Sequence, residues 1–174
     1  MARANEIASL LTEEHSFAVV SYGLNKSNAD KIEKLRGMFS ADQLDPEEEN
    51  LPPHITIFYG LKDHHLPIMQ EDLRDFGELS FTIGAKPKIF DNPKHDVLVL
   101  PVESACFVRL HKHIRNLTGV EPPTYREYVP HCTIAFLKKG TPYDHVSLPS
   151  DIIGKTSAVS FSSTQDKLHP IRLT

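Results

Sequence analysis

Cysteine is scarce in this chain, which has only two cysteines among 174 residues. Two are too few for a disulfide framework, so we expect Cys106 and Cys132 to be reduced thiols, with Cys132 on the buried face of a strand. The chain also lacks an apolar run of about 20 residues, and residues 1–14 contain no apolar segment of signal length. These absences predict a cytoplasmic protein that does not enter a membrane.

Strong charge of one sign is absent as well, because the formal net charge is −4 and the isoelectric point is about 6.2. A protein that coats duplex DNA needs a broad basic face, so the composition argues against that class while allowing a short nucleotide in a small pocket. The length suits one domain that buries about 70% of the surface of its unfolded chain. We expect a single domain over residues 1–174, with a monomer as the simplest state.

Two stretches of the chain have nearly the same sequence. Residues 53–59 read Pro-His-Ile-Thr-Ile-Phe-Tyr, and residues 130–136 read Pro-His-Cys-Thr-Ile-Ala-Phe. Because side chains alternate between the faces of a β-strand, each stretch predicts an apolar face and a face that carries a histidine followed by a threonine. The alternation sorts the side chains as follows: His54, Thr56 and Phe58 opposite Ile55, Ile57 and Tyr59, and His131, Thr133 and Ala135 opposite Cys132, Ile134 and Phe136.

With these two motifs, spaced by about half of the chain, the sequence resembles the 2H phosphoesterases, the superfamily that includes the 2′-5′ RNA ligase-like proteins and cyclic phosphodiesterases. The resemblance implies an α+β, bilobal fold with two pseudo-symmetric antiparallel-sheet lobes, helices outside, and a central cleft between the two motif strands. It also implies that His54 and His131 are the general acid and base, in an order that the motif leaves open, and that Thr56 and Thr133 bind phosphate.

The residue types suit this chemistry. Cleavage at a phosphate needs one group that takes a proton from the attacking oxygen and another that gives a proton to the leaving oxygen, and histidine does both near neutral pH. Threonine hydroxyls donate hydrogen bonds to the non-bridging oxygens. The chemistry requires no metal and no cofactor. The expected enzyme is therefore a metal-independent phosphodiesterase.

Several substrates fit this expectation: 2′,3′-cyclic phosphates, RNA ends, 2′-5′-linked oligonucleotides, and cyclic oligonucleotide signals such as those that small phage relatives destroy. Two alternatives keep the same pocket, namely a nucleotide-binding module without turnover and an enzyme that works in the direction of RNA 2′-5′ ligation. A third alternative is a metalloprotein that uses some of the ten histidines. The presence of both histidines and both threonines favours catalysis.

Three aromatic residues are further candidates for substrate binding. Tyr125 and Tyr128 lie in the proline-rich connection before the second motif, where either ring could stack on a base or a ribose. Tyr128 could equally pack on the sheet. Phe58 shares the predicted face of His54 and completes the set.

Four other histidines are not expected to be metal ligands. His64 and His65 are adjacent in a loop, but no cysteine or carboxylate at a metal-ligand spacing accompanies them. His111 and His113 are two apart on a predicted helix and point to different sides, which favours surface positions over a shared ligand site.

The remaining pattern predicts alternating strands and helices. We expect strands at 16–24, 79–90, 95–103, 157–163 and 169–173, with 79–90 and 95–103 forming a hairpin. Helices are predicted from a cap at Asn28 to Phe39, around 69–76, and from a cap at Ser104 to Gly119. Residues 45–50 read as a charged, solvated loop, and residues 138–150 as a further loop.

Overall fold

A computed structural model describes residues 17–49, 51–122 and 127–174, so Tyr125 lies outside the described residues. The described strands are β1 (Ala18–Gly23), β2 (His54–Leu61), β3 (Leu79–Ile83), β4 (Lys88–Asp91), β5 (Asp96–Glu103), β6 (His131–Leu137), β7 (Ile152–Thr156), β8 (Ala158–Ser162) and β9 (Leu168–Arg172). The described α-helices are α1 (Lys26–Arg36), α2 (Leu66–Asp72) and α3 (Ala105–Thr118). Short 3-10 turns at Asp63–His65 and Leu73–Asp75 flank α2.

All strand pairs are antiparallel, and the strand order is β7-β3-β5-β6-β2-β1-β8-β9, with β4 paired to the other part of β5. The sheet curls into a half-barrel, and the predicted α+β fold with an antiparallel sheet, as in the 2H phosphoesterases, is confirmed. The two motif strands, β2 and β6, are neighbours in the middle of the order. They meet at the pair Ile55 and Cys132.

The two longer helices cover the core face of the sheet. Helix α1 packs against β6, and α3 packs against β2, so each helix contacts the motif strand that comes from the other half of the sequence. The core beneath them includes Ile32, Phe107 and Cys132, each with no exposed surface. Burial raises the pKa of the Cys132 thiol to about 12, and both cysteines are free, as predicted.

The first helix begins three residues earlier than predicted. The Asn25 side chain, on extended backbone, accepts a hydrogen bond from the backbone N–H of Asn28 at 2.9 Å, so Asn25 is the cap and Asn28 is already helical. Both asparagines precede the same apolar stripe, which is why the pattern could not separate them. The helix ends at Arg36, and the buried Phe39 packs from the turn that follows.

The strand pattern was wrong at two places. The predicted strand at 79–90 is broken into β3 and β4 by a turn that contains Gly84 and Pro87, since proline cannot donate to a ladder. Strand β7 was not predicted, because Gly154 interrupts its apolar residues. A Cβ at Gly154 would lie 2.4 Å from the ring of Phe81 on the paired strand, so only glycine lets β7 approach β3.

The loop at 45–49 is less solvated than its charge predicted. Its Asp45 carboxylate lies 2.7 Å from Nδ1 of His95, whose side chain is buried, and Glu48 lies 3.9 Å from the same nitrogen. Both carboxylate side chains are mostly covered. A buried imidazole therefore anchors this acidic loop to the sheet, a tertiary contact that composition does not reveal.

Candidate active site

The four motif side chains lie on one face of two adjacent strands. The side chains of Ile55 and Cys132 are directly opposite each other and fully buried in the core. Residues on either side of that pair point the other way, so both histidines and both threonines face away from the helices. The antiparallel register places His54 next to Thr133 and His131 next to Thr56.

The strand alternation fails immediately after the first threonine. Ser21 of β1 pairs with Thr56, but the preceding Val20 pairs with Phe58, so Ile57 is an extra residue in β2. Such a bulge reverses the side-chain alternation beyond it. The predicted faces of Phe58 and Tyr59 are therefore wrong: Phe58 is 1% exposed in the core, and Tyr59 is on the face of the motif side chains.

The second motif strand has a bulge at the equivalent position. Val99 of β5 pairs with Thr133, and Leu98 pairs with Ala135, so Ile134 is the extra residue. The predicted faces of Ala135 and Phe136 are wrong for the same reason. Ala135 joins the main core, while Phe136 packs with Val97 and Val99 on the opposite face of the sheet.

A side chain from a helix holds the carbonyl group of each bulged residue. His111 of α3 donates from Nδ1 to the Ile57 carbonyl oxygen at 2.7 Å, and Arg36 of α1 donates from Nε to the Ile134 carbonyl oxygen at 2.7 Å. Arg36 also donates to the Leu51 carbonyl oxygen at 3.1 Å. The prediction that His111 is a surface residue is therefore wrong, because helix packing turns it towards a backbone oxygen that the bulge removes from the ladder.

Tyr128 joins the same arrangement. Its ring is parallel to the His111 imidazole with 4.3 Å between centroids, and its hydroxyl donates to the Thr56 carbonyl oxygen at 2.8 Å. The Phe58 ring contacts His111 from the core, with 4.9 Å between centroids. Tyr128 also lines a small pocket that includes Thr56 and His131. The structure thus places Tyr128 beside the motif strands, and Phe58 beneath them.

The two motif histidines are oriented in the same way. Nδ1 of His54 lies 2.8 Å from the Pro52 carbonyl oxygen, and Nδ1 of His131 lies 2.8 Å from the Val129 carbonyl oxygen. A carbonyl oxygen can only accept, so we assign the proton to Nδ1 in both neutral rings. Each Nε2 then carries the lone pair. This arrangement gives two equivalent imidazoles, each ready to accept a proton at Nε2.

The surroundings of both rings favour the neutral form. Burial is the main cause that lowers the pKa of His131 to about 4, and the positive charge of Lys88, together with that of His54 when it is protonated, contributes to the same shift. Burial also lowers the pKa of His54, and the guanidinium of Arg36 adds to the effect. The backbone carbonyl that each Nδ1–H contacts raises the pKa in both cases without reversing the shift.

The surface beyond β2 is lined with hydroxyl groups. An open cleft of about 440 Å³ borders His54, and its lining includes Ser21 of β1 and Ser160 and Ser162 of β8. We call these three serines the serine wall. The sequence shows serines at alternate positions of β8, but it does not show that β8 lies next to β1 and β1 next to β2.

The surface beyond β6 is apolar and cationic instead. Phe90 packs on Val97, Val99 and Phe136, and its ring contacts the His131 imidazole edge-on with 4.7 Å between centroids. The ammonium of Lys88 lies 5.3 Å from the centre of the Phe90 ring. We call these side chains (Lys88, Phe90, Val97, Val99 and Phe136) the apolar wall. Lys88 and Phe90 were not among the predicted site residues, since β4 was not recognised as a separate strand.

Within ranges 17–49, 51–122 and 127–174, no group of three or more histidine, cysteine, aspartate or glutamate side chains is arranged to hold a metal ion. None of the helices in these ranges is long and apolar enough to cross a membrane.

Comparison with known proteins adds a family and a fold. Residues 24–170 match the family model of the 2′-5′ RNA ligase superfamily. The fold is similar to that of the protein TT0787 of Thermus thermophilus, with a TM-score of 0.65 and 13% identity over 90% of this chain and 97% of that chain. No curated protein sequence matches the chain.

Two further solved structures share the fold. Kluyveromyces marxianus Usb1, solved with uridine monophosphate, has a TM-score of 0.56 and 6% identity over 92% of this chain and 99% of that chain. The MHV ns2 PDE domain has a TM-score of 0.50 and 20% identity over 80% of this chain and 87% of that chain. At these identities the likeness concerns the fold.

Proposed function

The chain belongs to the 2′-5′ RNA ligase superfamily, and on this premise we propose that it is a metal-independent phosphodiesterase that breaks a nucleotide phosphodiester bond. His54 and His131 exchange the protons, and Thr56 and Thr133 hold the phosphate. The observation that carries the proposal is the matched geometry of the two motifs: the same Nδ1 contact on both histidines, on adjacent strands with both threonines on the same face.

The register explains how one phosphate would contact all four side chains. Neighbouring strands lie about 4.8 Å apart, so a phosphate above the Ile55 and Cys132 pair reaches across both strands. The threonine hydroxyls donate to its non-bridging oxygens from opposite strands. The two imidazoles are then diagonal to each other across the phosphate, which is the arrangement that attack from one side and departure from the other require.

The lowered pKa values of His54 and His131 suit a site in which a ring becomes protonated only when an anion binds. A neutral imidazole at Nε2 is competent as a general base, while a general acid must carry a second proton. The negative charge of a bound phosphate raises the pKa of a nearby imidazole, because opposite charges favour the protonated form. Substrate binding therefore supplies the condition under which one histidine is protonated and the other stays neutral.

The candidate substrates are the ribonucleotide phosphodiesters: 2′,3′-cyclic phosphates, RNA ends, 2′-5′-linked oligonucleotides and cyclic oligonucleotide signals. A fold neighbour solved with uridine monophosphate supports a nucleotide ligand. Tyr128, and Tyr125 in the same connection, remain candidates for contact with a base beside this phosphate.

The test is a substrate panel in the presence of a chelator. The wild-type protein and the variants His54→Ala and His131→Ala are incubated with 2′,3′-cyclic mononucleotides, 2′-5′ dinucleotides and cyclic di- and trinucleotides, and the products are separated by chromatography. We expect turnover of at least one class, with a loss of about 10²- to 10⁴-fold in each variant because a general acid or base is missing.

His64→Ala is the matched control, since His64 is an exposed histidine of the loop after β2. Its rate should equal the wild-type rate. Turnover that the chelator abolishes, or that falls in His64→Ala, would favour the metalloprotein alternative instead. Binding of a nucleotide without any turnover would identify the protein as a nucleotide-binding module.

A further inference from the structure

The cleft beside His54 has a lining that the two-histidine chemistry does not use. We propose that the serine wall, formed by Ser21, Ser160 and Ser162, binds the ribose hydroxyl groups of one of the two nucleosides joined by the scissile phosphate. This inference rests on the proposed function, because it takes the phosphate to lie between the motif threonines. It predicts that the protein recognises ribonucleotides over deoxyribonucleotides by direct contact.

The strand register places the serines where a sugar must lie. Ser21 is directly opposite Thr56 on one side and directly opposite Ser160 on the other. The side chains of Thr56, Ser21 and Ser160 therefore form a row across β2, β1 and β8 on one face, with steps of about 4.8 Å. A sugar bonded to a phosphate at Thr56 reaches the next position in this row, which is Ser21.

Burial shows that Ser162 faces the cleft and not bulk solvent. Its side chain lines the cleft, and the residue is only 9% exposed. Its hydroxyl has no hydrogen-bond partner among the described residues, and neither do the hydroxyls of Ser21 and Ser160. The three hydroxyl groups are therefore available to donate to, and accept from, the hydroxyl groups of a ligand in this cleft.

The charge of the lining selects a sugar over a second phosphate. Among the described residues that line the cleft, none is lysine, arginine, phenylalanine, tyrosine or tryptophan, and one is an aspartate, Asp166. A carboxylate repels phosphate and accepts hydrogen bonds from hydroxyl groups. Without a phenylalanine, tyrosine or tryptophan ring, the described lining offers a base only the imidazole of His54, which the proposed chemistry uses. A neutral polyhydroxyl group, such as ribose, fits these properties.

The apolar wall on the other side of the motif strands has the complementary character. Phe90 offers a ring next to His131, and Lys88 is directly opposite Val99, which is directly opposite Thr133. Lys88 is therefore two strands away from Thr133, just as Ser160 is two strands away from Thr56 on the other side. Polar recognition of the sugar is therefore confined to the side of His54.

The test uses nucleotides that bind without reacting. Wild-type protein is titrated by calorimetry with adenosine 3′-monophosphate and adenosine 5′-monophosphate, and with the 2′-deoxy form of each. We expect at least one ribonucleotide to bind about three- to tenfold more tightly than its deoxy form, the effect of one to two hydrogen bonds. In Ser21→Ala/Ser160→Ala and in Ser162→Ala the preference should shrink towards one, with the affinity for the deoxy form unchanged.

Ser80→Ala is the control, since Ser80 is an exposed strand serine of β3, away from the cleft, and it should keep the wild-type preference. A ribonucleotide preference that survives both serine-wall variants, or equal binding of ribo and deoxy forms to the wild type, overturns the ribose site. Failure of the proposed function looks different: nucleotide binding would then be unaffected by Thr56→Val and Thr133→Val, whatever the state of the serines.

Discussion

The two halves of the molecule are alike where chemistry is proposed and unlike where a substrate would be recognised. Each motif strand has the same Pro-His-x-Thr-Ile sequence, the same bulge after the threonine, and a helix side chain on the carbonyl of the bulged isoleucine. Beyond these strands the serine wall lies on one side and the apolar wall on the other. A phosphate is nearly symmetric about its two ester bonds, so equivalent halves suit it, whereas the groups bonded to it differ.

The strongest test of this equivalence removes one threonine at a time. Thr56→Val and Thr133→Val each delete a hydroxyl donor while keeping the branched shape. We expect kcat for the preferred substrate to fall by about 10- to 10³-fold in each variant, because each hydroxyl stabilises the same phosphate. Thr82→Val in β3 is the matched control. A loss confined to one variant would show that only one half holds the phosphate.

A second test concerns the neutral histidines and the stability of the fold. In the unfolded chain the pKa of His131 returns to about 6.5, whereas in the folded protein it is about 4. Between these pH values the unfolded chain binds a proton at His131 that the folded protein does not bind. The contribution of His131 to the free energy of unfolding is therefore greatest above pH 6.5 and decreases as the pH drops towards 4. We expect His131 to account for about 2 to 3 kcal/mol of that fall.

Urea unfolding between pH 4 and pH 7 measures this effect. The lowered pKa of His54 acts in the same direction, so His131→Asn should show a smaller loss of stability on acidification than the wild type, and His54→Asn should show the same trend. The exposed His145 supplies the control variant, His145→Asn. Identical slopes in the wild type and in His131→Asn would mean that the ring is not held neutral by burial.

The third test compares the side chains that hold the two bulges. Arg36→Met and His111→Phe each leave a carbonyl oxygen without its donor, and an unsatisfied covered acceptor costs about 1 to 3 kcal/mol. Arg36→Met should cost more, because Arg36 also donates to the Leu51 carbonyl oxygen. Denaturant unfolding at pH 7 gives both values, with the exposed Arg74→Met as control. Losses below about 0.5 kcal/mol would show that the bulges need no such support.

The smallest expected change in stability concerns the glycines that follow α1 and α3. Gly119 after α3 has φ 70°, in the left-handed region, whereas Gly37 after α1 has φ −64° and room for a Cβ. Gly119→Ala should destabilise by about 1 kcal/mol, and Gly37→Ala should change stability by less than about 0.5 kcal/mol. Thermal unfolding of the two variants is the measurement, and equal shifts would contradict the difference in backbone geometry.

Sequence reasoning succeeded where the information is local. The apolar stripe and the serine cap of α3, and the alternation of His54, Ile55 and Thr56, depend on residues a few positions apart. The same reasoning failed beyond Thr56 and Thr133, since a bulge adds one residue without any change of composition. It also failed at His111, whose environment is set by a strand that lies 54 residues away in the chain.

The sequence by itself determined the family, the two motif strands and the four side chains that they present, because each motif repeats a short pattern whose periodicity is a property of one strand. Only the tertiary structure decided that the motif strands are neighbours, that bulges move Phe58 into the core and Phe136 out of it, and that serines line one side of the site and Phe90 and Lys88 the other. The reason is physical: strand pairing and register are chosen by packing between distant segments, and no local preference encodes them.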